Sequence, residues 1–179
     1  MKKITLLVMC LALLGASGCG YSNTSLLPPE LDSIHVDNFV NTIDLAQTVS
    51  DRRASYKYWP GLETDITRAV IDGFIFDGNL TVESSSKAKM TLEGKLTDFK
   101  EFPLSYGKGG SVEEFRVSVT VDLKLVNNTN GEVMWTEDSF QGQSTYNING
   151  PSRKTEAEAV RDTVRDLASR IVERVTEAW

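Results

Sequence analysis

The 179-residue sequence contains only two cysteines and one histidine, and it has no apolar run long enough to cross a membrane. A membrane-spanning helix needs roughly 20 apolar residues, whereas the longest run here extends only from Ile4 to Leu14. The scarcity of histidine and cysteine argues against a zinc site, and no activated-serine motif such as G-x-S-x-G occurs. These absences argue against a membrane-spanning protein, a zinc enzyme and a serine hydrolase.

The N-terminus has the three-part layout of a secretory signal: Lys2 and Lys3, then the apolar run, then small residues. The stretch Ala16-Ser17-Gly18-Cys19 resembles the lipobox of bacterial lipoproteins, although Ala16 stands where leucine is usual. We therefore expect cleavage before Cys19 and transfer of diacylglycerol to its thiol. The alternative is a signal without lipidation, in which this cysteine is incidental.

Lipidation would determine where the protein resides. Each buried methylene contributes about 0.8 kcal/mol and one chain anchors only weakly, so two or three acyl chains would hold the protein on its membrane. Gly20 follows the cysteine, and the resemblance to enterobacterial sorting signals, in which aspartate there favours the inner membrane, implies the periplasmic face of the outer membrane. Since Cys10 leaves with the signal, no thiol would remain for a disulfide or a metal.

Three segments are predicted: a cleaved lipoprotein signal peptide over 1–18, the lipidated cysteine and a tether over 19–33, and one domain over 34–179. Removal of the signal leaves 161 residues, which suits a single domain, and changes the net charge from −6 to −8. An acidic exported protein is not a nucleic-acid binder by bulk electrostatics. An anionic partner could therefore bind only at a local basic patch on this acidic protein.

Hydrophobic periodicity predicts an α+β fold. Alternation indicates a first strand over 34–39, and a three- and four-residue period indicates a helix over 60–77. A short strand over 80–83 has a weak signal. Three mainly antiparallel strands follow, with a bulge expected near Phe99, and a long helix begins at a Thr155–Glu158 capping box. The predicted order is β-α-β-β-β-α, with both helices packed on one face of a four-stranded, mainly antiparallel sheet.

No active site is predicted. His35 shares a strand face with Asp37 but is interpreted as a strand residue on a polar face. The stretch Gly107–Gly110 lacks the P-loop spacing and joins two strands, so it is interpreted as a hairpin loop. The segment Arg52–Trp59 interleaves cations with aromatic rings and suits a glycolipid or protein partner; the alternative is an ordinary approach to the first helix.

The open sheet face is a second candidate. Its predicted basic residues are Lys89, Lys95, Arg116 and Lys124, and its predicted acidic residues are Glu93 and Asp122. If Lys95, Arg116 and Lys124 cluster, they could bind the phosphates of an anionic lipid. If instead the acidic residues neutralise them across the strands, the face is merely solvated.

Short motifs along the mature chain resemble the LptE family of outer-membrane lipopolysaccharide-assembly lipoproteins. They are Cys19-Gly20-Tyr21, Leu27-Pro28-Pro29, Ile34 to Asn41, Ala88 to Leu96, Leu104-Ser105-Tyr106, Glu114 to Val117 and Asn130 to Trp135. The resemblance rests on their order and spacing, and none is a catalytic signature.

The resemblance implies two helices on a four-stranded sheet, and the missing catalytic residues predict no enzymatic activity or cofactor. It also implies that the lipoprotein plugs a large LptD-like β-barrel, the translocon that inserts lipopolysaccharide into the outer leaflet, and that it binds lipopolysaccharide. No strict motif marks ligand residues, so Lys95, Arg116 and Lys124 stay candidates from the sheet pattern alone. The alternative function is regulation of a periplasmic cell-wall enzyme or transporter by a lipid-anchored domain.

Overall fold

The structure is a computed structural model that describes Pro28 and residues 30–43, 59–151 and 153–177. The predicted signal, Cys19 and most of the cationic and aromatic segment, Arg52 to Tyr58, lie outside these residues. The described residues form one α+β unit in which a layer of two helices covers one face of a sheet.

Six strands form one mixed sheet: β1 (Ser33–Val36), β2 (Val40–Asn41), β3 (Thr81–Val82), β4 (Met90–Tyr106), β5 (Val112–Asn127) and β6 (Glu132–Asn147). Their order is β3-β1-β4-β5-β6, and β2 also pairs with β4. The three long strands are antiparallel, whereas β1 is parallel to β3 and β4, and β2 is parallel to β4.

Helix α1 (Leu62–Asp77) has Glu63 and Asp65 in its first turn, where carboxylates favour the positive end of the helix dipole. It ends at Gly78, whose φ of 73° suits glycine and whose N–H bonds to the Phe74 carbonyl. The helix agrees with the prediction over 60–77.

Helix α2 (Glu156–Glu177) begins at the predicted capping box. Thr155 N–H donates to Glu158 Oε2 at 2.7 Å, and Glu158 N–H donates to Thr155 Oγ1 at 3.2 Å. The Thr155 hydroxyl also donates to Glu158 Oε2, at 2.7 Å. The Thr155 N–H and hydroxyl together lower the pKa of Glu158, because they stabilise its charged carboxylate. The reciprocal pair satisfies two amide groups that the helix itself leaves without partners.

Both helices pack on the same sheet face and form one core with it. Its largest fully buried members are Phe74, Ile34, Leu62, Ile66, Met90, Leu92, Leu96, Leu125, Leu167, Ile171, Val70 and Val117.

Two glycines of the sheet allow other parts of the chain to approach its backbone closely. A Cβ at Gly142 would lie 2.5 Å from Leu167 Cβ and 2.7 Å from its backbone nitrogen, and a Cβ at Gly94 would lie 2.2 Å from the Phe39 ring. Side chains are therefore excluded where α2 and Phe39 press on the sheet.

The predicted fold class is confirmed, with corrections to the sheet. It has six strands rather than four and is mixed rather than mainly antiparallel. The strand predicted over 34–39 is the shorter β1, β2 follows it outside the predicted range, and the short strand considered at 80–83 is β3. Because β1 and β3 are joined by a crossover through α1, they run parallel. The bulge predicted near Phe99 corresponds to a register shift between Leu96 and Asp98.

Residues just before the predicted boundary at residue 34 also pack on the domain. Leu31 is 7% exposed and belongs to the core, and Ser33 is buried in β1. Thr81 N–H bonds to the Asp32 carbonyl at 2.9 Å, so these residues are fixed against β3. The ordered approach to the domain therefore includes the last residues of the predicted tether.

The outer edge of β6 is occupied by contacts from α2 and the chain before it. Arg170 donates to the Gln141 carbonyl, Gln143 N–H donates to Asp166 Oδ2 at 2.9 Å, and Lys154 N–H donates to the Asn147 carbonyl at 3.2 Å. These contacts satisfy backbone groups that an edge strand otherwise presents to solvent.

The domain has two distinct ends. Leu31, β3, the start of β4 and the β5–β6 turn lie at one end, which we call the tether end; Asn128 N–H bonds there to the Lys89 carbonyl. Both helices finish at this end, since Gly78 leads into β3 and Arg174 contacts Glu137 near the start of β6. The β4–β5 loop, 107–111, lies at the opposite end, which we call the hairpin end.

Candidate interaction surfaces

The sheet face opposite the helices, here the outer face, is polar and is not covered by any described element. Strand β5 shows the contrast between the faces, because Val117, Val119, Val121, Leu123 and Leu125 on the inner face are all buried. The residues between them are polar. Alternation of side chains along β5 thus produces one core face and one face available to a partner.

Charged pairs across and along strands populate the outer face. Lys124 Nζ lies 3.1 Å from both carboxylate oxygens of Glu93, its register partner on β4. Lys100 forms an ion pair with Asp98 on the same strand. The Glu93–Lys124 pair is about 40% exposed, so its contribution to stability is about 1 kcal/mol or less.

The structure places the predicted cations in two groups. Lys95 and Lys124 lie close together on neighbouring strands, and the register sets Lys95 opposite Asp122. Arg116 lies six residues from Asp122 along β5, a separation of about 20 Å at 3.4 Å per residue. The three residues therefore do not form a single cluster, and the pair of lysines is interleaved with two carboxylates.

The centre of the outer face is formed by small hydroxyl residues. Ser118 and Thr120 are each 9% exposed, although they lie on the face away from the helices. Their register partners on β4 are Lys100 and Asp98, whose longer side chains flank them. This face is thus a shallow surface of short side chains bordered by longer charged ones.

An aromatic and acidic contact lies where the helical layer ends toward the hairpin end. The Tyr146 hydroxyl donates a hydrogen bond to Glu101 Oε1, and the Tyr146 and Phe115 rings stack with centroids 5.5 Å apart. Burial and then the Glu101 carboxylate raise the pKa of Tyr146. Beyond this contact Leu104, Tyr106 and Ile148 are exposed, so apolar side chains are available at this end.

The two helices form a groove on their solvent side, with a volume of about 970 Å³. Small residues such as Ala69 and Gly73 line its floor, and Arg68 and Arg161 line it beside several carboxylates. Trp59, the one described member of the predicted cationic and aromatic segment, is half-buried against it. This placement favours packing as the role of Trp59.

Sequence reasoning did not find the contacts of two arginines of α2 with β6. The Arg174 guanidinium lies 4.6 Å from the Trp135 ring centroid, and its Nε donates to Glu137 Oε2 at 2.6 Å. One turn earlier, Arg170 lies 5.3 Å from the Phe140 centroid. The i, i+4 spacing of the arginines could have suggested a shared face, but their partners depend on the packing of α2 on β6.

His35 forms structural contacts. Its Nε2 lies 3.2 Å from Asp37 Oδ1, and its Nδ1 lies 3.1 Å from the Glu83 carbonyl oxygen. These contacts connect β1 to the segment after β3 and give both ring nitrogens a partner. The histidine thus lies where the sequence interpretation put it, on a strand beside Asp37.

Two further properties concern only residues 30–43, 59–151 and 153–177. Within them no group of three or more His, Cys, Asp and Glu side chains is arranged to hold a metal ion. Neither of their helices combines the length and apolar character needed to cross a bilayer.

The family assignment comes from comparison of the sequence with protein families. The family described as "LptE: Lipopolysaccharide-assembly" matches residues 31–175, which include every described strand and nearly all of α2. The chain belongs to the LptE family. Membership associates it with lipopolysaccharide assembly and agrees with the resemblance in its short motifs. No functionally curated protein sequence shows significant similarity to it.

The similar solved structures are distant in sequence. Protein XCC0632 from Xanthomonas campestris has 14% identity and a TM-score of 0.51, over 83% of this chain and 88% of that one. This similarity supports the fold alone. The PelC dodecamer from Paraburkholderia phytofirmans has 14% identity and a TM-score of 0.48, over 86% and 94%. Lipoprotein B from Nitrosomonas europaea has 13% identity and a TM-score of 0.49, over 84% of each chain.

Proposed function

We propose that this protein is an outer-membrane lipoprotein without enzymatic activity that plugs an LptD-like β-barrel and thereby supports lipopolysaccharide assembly. The family match over residues 31–175 carries the proposal. The lipobox ending at Cys19 supports attachment to the periplasmic leaflet through acyl chains. The alternative, a regulator of a periplasmic cell-wall enzyme or transporter, shares the anchor but requires another partner.

The outer face is the surface we assign to the barrel. It is broad and polar, which suits the water-filled interior of a large barrel. Its centre at Ser118 and Thr120 consists of short side chains, so a partner backbone could approach closely there. The flanking Asp98 and Lys100, and the Glu93–Lys124 pair farther along the strands, offer both signs of charge for polar contacts.

Affinity purification from envelope membranes in mild detergent tests this function. We expect the tagged protein to retain an outer-membrane β-barrel of several hundred residues. Retention of a periplasmic enzyme instead would support the regulatory alternative and contradict the plug.

A matched pair of variants tests which face docks. Ser118→Arg places a long cation at the centre of the outer face and should abolish barrel retention, whereas Ser169→Arg, on the exposed side of α2, should preserve it. Circular dichroism establishes that each variant is folded. Equal retention by both variants would exclude the outer face as the docking surface.

The anchor has its own prediction. Cys19→Ser removes the thiol that accepts diacylglycerol, so the protein should lack acyl groups and leave the membrane fraction. Membrane fractionation and the mass of the N-terminal peptide measure this. Full membrane association of the variant would contradict lipid anchoring.

Direct lipopolysaccharide binding is the last part of the proposal, with Lys95, Arg116 and Lys124 as its candidate residues. Because Arg116 lies about 20 Å from the register position of Lys95 and about 27 Å from Lys124 along β5, the lysine pair and Arg116 are tested separately. Lys95→Glu with Lys124→Glu should weaken binding more than Arg116→Glu if the lysine pair holds a phosphate. Unchanged affinity in folded variants would remove these residues from the site.

A further inference from the structure

The last turn of α1 exposes two large apolar side chains. Phe76 is 94% exposed and Ile75 is 64% exposed, whereas Phe74 beside them is fully buried. We call Ile75 and Phe76 the α1 tip. Since α1 buries its core-facing residues completely, the tip is not required for packing within the described domain.

The α1 tip lies at the tether end. Leu80 follows Phe76 by four positions, which limits their Cα separation to about 15 Å at 3.8 Å per step. Leu80 is buried beside β3, and Thr81 pairs with Ser33 and bonds to Asp32. The tip is therefore close to the point where the chain from the predicted anchor enters the domain.

The length of the connection keeps this end near the membrane. Cys19 precedes Pro28 by nine residues, and a fully extended chain of that length spans at most about 30 Å. The hairpin end is much farther away, because Tyr106 follows Met90 by sixteen residues along β4, or about 50 Å. An acylated Cys19 would thus hold the tether end, rather than the hairpin end, beside the lipid surface.

We propose that the α1 tip inserts into the surface of the phospholipid leaflet that holds the acyl chains, and so forms a second membrane contact of the lipoprotein before it meets its barrel. This inference rests on the lipid anchor of the proposed function. An aromatic and a branched aliphatic side chain suit the boundary between headgroups and acyl chains.

Exposed charges of both signs lie at the tether end. Glu30, Asp32 and Asp77 are exposed there, and so are Lys87 and Lys89 just before β4. Because these charges oppose one another, we assign the attraction to the two apolar side chains, for which phospholipids without net charge are sufficient.

The test uses the full chain, processed and acylated, reconstituted in phosphatidylcholine vesicles. A fluorophore that senses polarity is attached to the introduced thiol of Phe76→Cys. Tyr106→Cys is the matched control, since Tyr106 is also an exposed aromatic residue, at 63%, but lies at the hairpin end. Nitroxide groups on the lipid acyl chains serve as quenchers.

We expect emission from position 76 to shift to shorter wavelength and to be quenched several-fold more strongly than emission from position 106. Equal weak quenching at both positions, with the protein still floating with the vesicles, would overturn the tip contact and leave the anchor intact. A wavelength shift at 76 without quenching by the lipid would indicate cover by a second copy and also overturn it. Protein that does not float would overturn both the anchor and the tip.

A second pair of variants tests the chemistry of the contact. With the fluorophore at Ile75→Cys, adding Phe76→Asp should reduce quenching by the lipid several-fold, while Phe76→Leu should preserve most of it. Equal quenching in the two backgrounds would show that the Phe76 side chain does not enter the lipid and would overturn the proposal.

Discussion

The two faces of the sheet differ in how closely they are packed. On the inner face the backbone of α2 approaches Gly142 so closely that no side chain fits, and Phe39 lies directly over Gly94. On the outer face, pairs such as Glu93 and Lys124 are about 40% exposed and no described element covers them. Close packing therefore restricts which side chains fit on the inner face, whereas the side chains of the outer face remain available to a partner.

The difference indicates where substitutions should affect folding and where they should affect binding. Inner-face changes alter packing, which responds to a single methylene. Outer-face changes alter exposed charge pairs, which contribute little to stability. Inner-face substitutions should therefore lower the free energy of unfolding more than outer-face substitutions do. The tests that follow run from the largest expected effect to the smallest.

Phe74→Ala should have the largest effect. Its ring is fully buried, and truncation of a buried phenylalanine lowers the free energy of unfolding by about 3 to 5 kcal/mol. Phe76→Ala, two residues later on the same helix, should change it by less than about 0.5 kcal/mol. Urea denaturation measures both, and similar losses would contradict the assigned burial.

Gly142→Ala should lower the free energy of unfolding by about 1 to 3 kcal/mol, and by more than Gly94→Ala. The added carbon at 142 meets the backbone of Leu167, whereas at 94 it meets the ring of Phe39. Adding Phe39→Ala should partly relieve the strain of Gly94→Ala. Adding Leu167→Ala should not relieve Gly142→Ala, because the backbone obstacle remains; recovery of thermal stability there would contradict the assigned contact.

Tyr146 should make stability fall at high pH. Its pKa is raised in the folded protein above the ordinary value of 10.0, so its contribution is complete below pH 10. Above pH 10 the unfolded chain releases the phenolic proton first, and stability falls by up to about 1.4 kcal/mol per pH unit. The stability advantage over Tyr146→Phe should therefore be constant from pH 7 to 9 and shrink by pH 11. A constant difference in urea titrations across that range would contradict the raised pKa.

The Glu93–Lys124 pair should have the smallest effect. A double-mutant cycle with Glu93→Ala and Lys124→Ala should give a coupling energy below about 1 kcal/mol, and added salt should reduce it. Thermal unfolding at low and high ionic strength measures it. A coupling of several kcal/mol would mean that the outer face also fixes the fold.

Much of the fold was predictable because local signals agree with it. Apolar alternation from Val117 to Leu125 marks β5, and the Thr155–Glu158 capping box marks the start of α2. The phase slip before Phe99 indicates the bulge, because side chains alternate strictly in a regular strand.

The short strands and the role of Gly94 were not predictable in the same way. Strands β2 and β3 have two residues each, too few to show a period, and they exist through pairing with β4 and β1. The need for glycine at position 94 depends on Phe39, 55 residues earlier in the sequence. Such constraints arise from tertiary contacts.

The arrangement of the candidate binding residues was also only partly predictable from the sequence. Alternation placed Lys95 and Lys124 on one face, which the ion pair of Lys124 with Glu93 supports. Their distance from Arg116 depends on strand length, since β5 extends over sixteen residues. Position along a strand is set by register, which residue type alone does not specify.

The contacts of Arg170, Asp166 and Lys154 along β6 have a consequence for neighbouring copies of the protein. A long exposed strand recruits identical strands when molecules are crowded on a surface, and this is a common route to fibrils. With Gln141, Gln143 and Asn147 already bonded to their own chain, a second copy finds fewer free backbone groups along the second half of β6. The packing of α2 against β6 thus makes strand addition less favourable at that half of the edge.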